Sequence, residues 1–168
     1  MIKKINYKVI DNFLSEEEYN NIHNLLHNKY FPWYYFPDIT NTNKESKGYL
    51  FYLAHTFYAE DSPNSSYFNQ IKFLLKKIDT KSLIRVKANL YPNQGNNEPL
   101  NEMHIDYPFK HKGAIYSINT CNGGTILKDG TFIKSVKNRL LLFDPSEMHD
   151  SKSASDVKAR LNININYF

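Results

Sequence analysis

The stretch Arg160-Leu-Asn-Ile-Asn-Ile-Asn166, close to the end of the chain, alternates without a break. Arg160, Asn162, Asn164 and Asn166 fall on one side, and Leu161, Ile163 and Ile165 on the other. A period of two is that of a β-strand, because successive side chains leave opposite faces of the sheet. In most such strands the apolar face packs on a core and the polar face meets water. Asn, however, is a poor strand former. Three in register behind an arginine is an odd choice for a face that only meets solvent. The pattern poses a question: does the polar row look at bulk water or at a wet cavity inside the fold? A second stretch repeats it. Ile84, Val86, Ala88 and Leu90 alternate with Arg85, Lys87, Asn89 and Tyr91.

The rest of the chain supplies what could cover the apolar faces. "YKVIDNFL" reads as a strand entering a turn. Ser15 then stands three residues before Glu18, the signature of a capping box. Tyr19, Ile22, Leu25 and Leu26 form the apolar stripe of the helix that it opens. "FPWYYFPD" is too aromatic and too broken by proline for a helix, and "YLFYLAHTFY" reads as a strand. "YFNQIKFLLKKI" predicts a second amphipathic helix with Phe68, Ile71, Leu74, Leu75 and Ile78 inside. From residue 82 onward the pattern is all β, with short strands punctuated by Gly, Asn and Asp and a tight hairpin at "KDGT". Two helices followed by about eight strands predict a mostly β, α+β domain, with helices buttressing one sheet of a sandwich or jelly roll. If helices cover the apolar side, the polar side of the same strands faces into the sandwich.

A chain of 168 residues suffices for one domain with its own core. The expected division is helical support mainly in 1–80 and a jelly-roll core over about 82–168. Hydrophobic residues make up 41% and aromatic ones 15%, which excludes disorder. No apolar run is long enough to span a membrane, and the basic start "MIKKINYKVIDNF" has no apolar core of a secretory signal. A single cysteine, Cys121, cannot close an internal disulfide, so a reducing cytoplasm is the expected setting. The net charge of +4 is spread over scattered lysines, which is not the footprint of a nucleic-acid binder.

"EMHIDYPF" places His104 and Asp106 two apart. In a strand these side chains point to one side, roughly 7 Å apart at Cα, where both can grip one metal ion. "DPSEMHD" adds His149, and the polar strand follows with Arg160. Two imidazoles and a carboxylate make the facial triad that leaves three positions open on Fe(II). H-x-D alone is a weak signal. The constellation of H-x-D, a distant histidine and an arginine on a half-polar strand is a stronger one.

With these residues in place the sequence resembles the Fe(II)- and 2-oxoglutarate-dependent oxygenases, in particular the branch containing prolyl 4-hydroxylases. "VIDNFLSEEEYNNI" is similar to the opening strand and helix of that family, and "NLYPNQG" to the Tyr-Pro turn before its first metal ligands. "HID", "IYSIN", "GGTIL", "NRLLLFD", "MH" and the arginine of "ARLNI" follow in the family's order. The resemblance implies a double-stranded β-helix, a jelly roll with the N-terminal helices packed on its major sheet. It implies Fe(II) held by His104, Asp106 and His149, with 2-oxoglutarate and O₂ as co-substrates and ascorbate as a reductant. Arg160 would pair with the distal carboxylate of 2-oxoglutarate, a task suited to its planar fork. Tyr91 resembles the tyrosine that supports the co-substrate near the metal, and Asn162 and Asn164 would line the same cavity. Ser117 falls where some prolyl hydroxylases carry a tyrosine that helps the arginine, which leaves the second anchor unassigned.

The remaining candidates are less directed. His23 and His27 have helical zinc spacing, but neither a following glutamate nor a third ligand is evident, so they read as exposed histidines. His111 reads as a hairpin residue, Asp150 as pointing away from His149, and Cys121 as a small loop residue. His55 is a strand residue that could also face the substrate. Trp33, Tyr34 and Tyr35 among prolines suit either plain core or a groove for an extended peptide, and Tyr107 is placed to border the entrance. The expected function is a dioxygenase that hydroxylates an unactivated C–H bond, with a prolyl residue of a peptide or protein as substrate. The alternatives are a nucleic-acid-modifying or small-molecule oxygenase of the same fold, or a non-catalytic jelly-roll binding module.

Overall fold

The computed structural model describes residues 6–37, 51–93, 95, 99–100 and 103–168. Residues 1–5 of the amino-terminal stretch, Asp38 of "FPWYYFPD", residues 49–50 of the "YLFYLAHTFY" strand, Gln94 of the Tyr-Pro turn and Glu102 before the H-x-D pair lie outside the described residues.

Among the described residues the chain runs β1 (Lys8–Ile10), α1 (Glu16–Leu26), β2 (Tyr34–Phe36), β3 (Tyr52–Ala59), β4 (Ser62–Pro63), a 3₁₀ segment (Ser66–Ile71) and α2 (Lys72–Ile78). It continues through β5 (Leu83–Pro92), β6 (Lys112–Ser117), β7 (Gly124–Leu127), β8 (Phe132–Lys134), β9 (Arg139–Phe143), β10 (His149–Lys152) and β11 (Ala159–Tyr167). The large antiparallel sheet has the order β1-β9-β6-β11-β5-β3-β2, with β4 paired to β3. A small sheet, β10-β7-β8, faces part of it.

The capping box forms as expected. Ser15 Oγ accepts from the Glu18 amide at 3.2 Å, and Glu18 Oε2 accepts from the Ser15 amide at 2.9 Å. The second helix is shorter than its apolar stripe predicts, because its first half winds as 3₁₀ after Ser65 Oγ captures the Tyr67 amide at 3.1 Å. Gly130, at φ +84°, makes the β7–β8 turn that "KDGT" predicts. Among the described residues seven strands follow residue 82, where the sequence predicts about eight. Ahead of residue 80, β1 to β4 extend both edges of the large sheet beside the two helices.

The central strand β11 pairs with β5 on one side and β6 on the other. Its register sets Arg160 against Tyr91, Asn162 against Asn89, Asn164 against Lys87 and Asn166 against Arg85. Directly opposed residues of an antiparallel pair share a face, so the two polar rows merge into one polar wall. On the other face Val86, Ala88, Leu161, Ile163 and Ile165 join one buried core with Tyr19, Ile22 and Leu26 of α1 and Leu74 and Leu75 of α2. Burying these side chains is the main favourable term holding helices to sheet. Asn138 pins the start of α1 to the sheet. Its amide accepts from the Leu14 N–H and the Tyr116 hydroxyl and donates to the Leu14 carbonyl, each at 2.9 Å. No helix among the described residues is long and apolar enough to cross a membrane.

Candidate metal centre

The polar wall of β5 and β11 looks into a cavity of about 60 Å³ between the two sheets, not into bulk water. The opposite wall is built by residues 104–106 and β10. His104 and His149 are paired as an isolated antiparallel bridge, each amide donating to the other's carbonyl at 2.9 Å. Being cross-strand neighbours, their rings lie 4.6 Å apart between centroids. The chain then bends, with the Asp106 amide donating to the Pro145 carbonyl at 3.0 Å, and the Asp106 carboxylate turns into the cavity. Ligand atoms of His104, Asp106 and His149 all lie within 4.8 Å of one another. Donors at about 2.0–2.2 Å from one ion sit roughly 3–4 Å apart, so small side-chain rotations close the set.

The surroundings orient these donors. His149 Nδ1 lies 3.0 Å from the Glu147 carbonyl, which can only accept, so the proton sits on Nδ1 and Nε2 keeps its lone pair for a metal. Asp106 Oδ1 accepts from Arg85 Nη2 at 3.0 Å. Asn166, with its amide nitrogen toward Asp106 Oδ2 and His111 Nε2, donates to both at 3.0 Å. Burial alone would raise the Asp106 pKa. The Arg85 guanidinium and the two imidazoles outweigh it and hold the carboxyl below its ordinary value. Further along β5, burial and the Arg85 charge push the Lys87 amine down to about 8, against the pull of Asp106. Burial pushes the Tyr52 hydroxyl up to about 12 and raises that of Tyr91 as well.

At the far end of the wall Arg160 is 1% exposed. Its Nη1 and Nη2 each have one acceptor, the Lys152 carbonyl and Thr125 Oγ1, both at the long distance of 3.5 Å. Its Nε is buried with no partner in the structure. The guanidinium lies 5.4 Å from the centre of the Tyr91 ring. An arginine buried with long bonds and an orphaned N–H has donor capacity that the protein leaves open. Between the two ends, Asn89 donates to Asn162 Oδ1 at 3.0 Å, and Asn89 Oδ1 is buried without a partner. Two imidazoles and a carboxylate suit a divalent first-row transition metal at one end, and a buried guanidinium suits an anion at the other.

The structure thus brings His104, Asp106, His149, Tyr91 and Asn162 to one cavity, with Arg160 buried beside Tyr91 and not itself among the lining residues. Ser117 pairs with Asn162 and shares its face, but does not line the cavity beside the metal ligands. The expected substrate residues divide. Tyr107 borders the site with its ring 5.4 Å from the Arg85 guanidinium. Trp33 packs against the main core, on the other side of the sheet. His55 is opposed to Ala88 on that same far face and is satisfied by the Pro32 carbonyl at 2.8 Å and Ser65 Oγ at 2.7 Å. Tyr35 is exposed and opposed to Leu53, again away from the cavity. Instead Phe36, which sequence reasoning passed over, stacks on Tyr52 at 5.1 Å, and Tyr52 on Tyr91 at 5.6 Å. Arg85, Lys87 and Thr125 were also missed as site residues. The first two were legible in the alternation of β5, whereas nothing local marks Thr125. His23 and His27 stack on one another on α1, with centroids 4.0 Å apart and no third ligand among the described residues.

No family model matches the sequence, and no curated protein matches it either. Solved structures do match the fold. A prolyl hydroxylase from Trichoplax adhaerens, in complex with a peptide of the hypoxia-inducible-factor oxygen degradation domain, is 19% identical with a TM-score of 0.70, over 96% of this chain and 83% of that one. An oxidoreductase of the 2OG-Fe(II) oxygenase family from Burkholderia pseudomallei is 12% identical with a TM-score of 0.66, over 96% and 84%. A non-heme alpha-ketoglutarate-dependent epimerase from nogalamycin biosynthesis is 14% identical with a TM-score of 0.60, over 98% and 78%. At these identities the likeness establishes the fold, which is the jelly roll of the 2-oxoglutarate–Fe(II) oxygenases, prolyl hydroxylases among them.

Proposed function

We propose that this protein is an Fe(II)- and 2-oxoglutarate-dependent dioxygenase that hydroxylates an unactivated C–H bond, with a prolyl residue of a peptide or protein as its substrate. The observation that carries the proposal is one cavity with two facing walls. Three metal donors within 4.8 Å of each other stand on one wall, and Arg160, buried with a partnerless Nε, belongs to the strand pair that forms the other. The prolyl substrate draws support from a resemblance in motif order and from a peptide-bound neighbour of like fold.

In this scheme His104, Asp106 and His149 would hold the iron. Bound iron would supply the oxidative chemistry that converts 2-oxoglutarate to succinate and CO₂ while the substrate gains a hydroxyl. Arg85 keeps Asp106 ionised and aimed. The Glu147 carbonyl keeps the His149 proton on Nδ1. Arg160 receives the distal carboxylate, with the Thr125 hydroxyl as the second anchor in place of Ser117. The Tyr91 ring closes the cavity beside them. Burial of Arg160 strengthens its pull on an anion, because little water competes.

The test is succinate release by the purified protein with Fe(II), 2-oxoglutarate and O₂, with and without a proline-rich peptide. Succinate that requires Fe(II) and rises with the peptide is expected. A protein that binds Fe(II) yet releases none refutes the dioxygenase, and release stimulated by DNA but not by peptide replaces the substrate class.

A further inference from the structure

We infer that Lys87, together with the Tyr52 hydroxyl, receives a carboxylate of the substrate beside the metal, so that the substrate carries an acid group close to the carbon that reacts. This rests on the oxygenase reading above and narrows it. Lys87 stands on the cavity face of β5, directly opposed to Asn164. The Asn164 amide lies 3.5 Å from Asp106 Oδ2. Lys87 is therefore one cross-strand step from the residue beside a metal donor. It is also two same-face steps from Tyr91, the partner of Arg160, or roughly 13 Å along the strand. The two cations serve different ends of the cavity.

The groups that touch the amine are neutral, while the opposite charges of Arg85 and Asp106 act on it from further off. Nζ donates to Tyr52 Oη at 3.2 Å and lies 5.1 Å from the centre of the Tyr52 ring and 6.0 Å from that of Phe36. Asp106, the single acid lining the cavity among the described residues, is engaged by Arg85 at 3.0 Å, and no described carboxylate forms an ion pair with Lys87. Lys87 is half-buried, and taking a lysine even partly out of water without a carboxylate is unfavourable. A count of charges points the same way. Arg85 offsets Asp106, and Asp150 lies by Arg160. A divalent ion and dianionic 2-oxoglutarate offset each other, and Lys87 is left over.

The donor geometry selects the chemistry. Because Tyr52 Oη accepts from Lys87, its own O–H remains to donate, and burial keeps it protonated. One N–H and one O–H side by side match the two oxygens of a carboxylate. A phosphate is met more often by arginine forks or several backbone amides. The carboxylate could belong to a free amino acid, to the C-terminus of a peptide or to an acidic side chain next to the reacting residue.

The experiment uses Mn(II)-loaded protein with 2-oxoglutarate and matched acid–amide probes. These are L-proline against L-prolinamide, a peptide ending in proline against its C-terminal amide, and a blocked peptide with Glu after proline against its Gln counterpart. Calorimetry should show at least one acid binding about tenfold or more tightly than its amide, the size expected for a buried charge pair. The pair that discriminates identifies the source. In Lys87→Met the preference should fall to within about twofold, Lys87→Arg should restore part of it, and affinity for Mn(II) and 2-oxoglutarate should stay within about threefold. Equal binding of every acid and amide, binding of none, or an undiminished preference in Lys87→Met overturns the inference. So does a tenfold loss of 2-oxoglutarate affinity in that variant, which would assign the lysine to the co-substrate. If the unaltered protein takes up neither Mn(II) nor 2-oxoglutarate, the oxygenase reading has failed first and this inference falls with it.

Discussion

Replacing Arg160 by methionine should separate what the cavity costs the fold from what it does for a ligand. In the free protein the guanidinium is 1% exposed and makes two hydrogen bonds, both at 3.5 Å. Bonds of that length sit at the weak end, about 0.5 kcal/mol each. Against them stands the buried, partnerless Nε, whose desolvation costs about 1–3 kcal/mol. Attraction to Asp150 acts on the stabilising side. The opposing effects are of similar size, so the free variant should lie within about 1.5 kcal/mol of the parent, less than about 6 °C in Tm for a domain of this length. Co-substrate binding should behave otherwise. A carboxylate seated here loses its one charged partner, at about 2–5 kcal/mol, which is about 30- to 5,000-fold in Kd. Calorimetry of 2-oxoglutarate into Mn(II)-loaded protein and thermal melts without ligand measure the two quantities independently. An unchanged Kd would show that Arg160 is not the anchor. A loss of more than about 4 kcal/mol in the free protein would show that the arginine is a structural tie between sheets, like a buried ion pair whose partner is removed.

Other perturbations have equally definite outcomes. Asp106→Ala removes the single carboxylate donor and leaves Arg85 without its partner at 3.0 Å; metal titration should show affinity down by about tenfold or more, and retention of parental affinity with full succinate release would sink the triad. Leu161→Arg puts a charge among buried side chains beneath the helices; circular dichroism should show an unfolded or loosely packed chain, and a normal cooperative melt would mean that the two faces of β11 have been confused. Burial holds the His55 imidazole below its ordinary value of 6.5, against the smaller opposing effect of the Pro32 carbonyl. The unfolded chain therefore takes up this proton first, and stability present above pH 6.5 is lost as the pH falls through the folded value. Tm should drop more steeply between about pH 7.5 and 5.5 in the parent than in His55→Gln, and parallel slopes would contradict that burial effect.

How much of this was legible in the sequence depends on whether a feature is local. Side-chain direction in a strand follows from backbone geometry alone. The alternation over 160–166 and over 85–91 therefore already specified two unlike faces, and the surplus of Asn, Arg and Lys on one of them already pointed to a wet interior. Ser15 and Glu18 close their capping box within one helical turn, so that element needed nothing from elsewhere in the chain. The order of His104, Asp106, His149 and Arg160 was readable because each residue type has a narrow chemistry. Where both faces of a segment are apolar or aromatic the reading failed. Around Tyr52, His55 and Phe57 there is no polar contrast to tell cavity from core, and Tyr34–Phe36 is too short to show a period. Only the pairing of β3 with β5 turned His55 toward the core and Tyr52 toward the cavity. Register likewise decided which residues oppose one another, setting Lys87 against Asn164 and Arg85 beside Asp106. The packing of the small sheet on the large one brought Thr125 to Arg160. Those partners are distant in sequence, and a chain's local periodicity fixes which way a side chain points but not what it will meet.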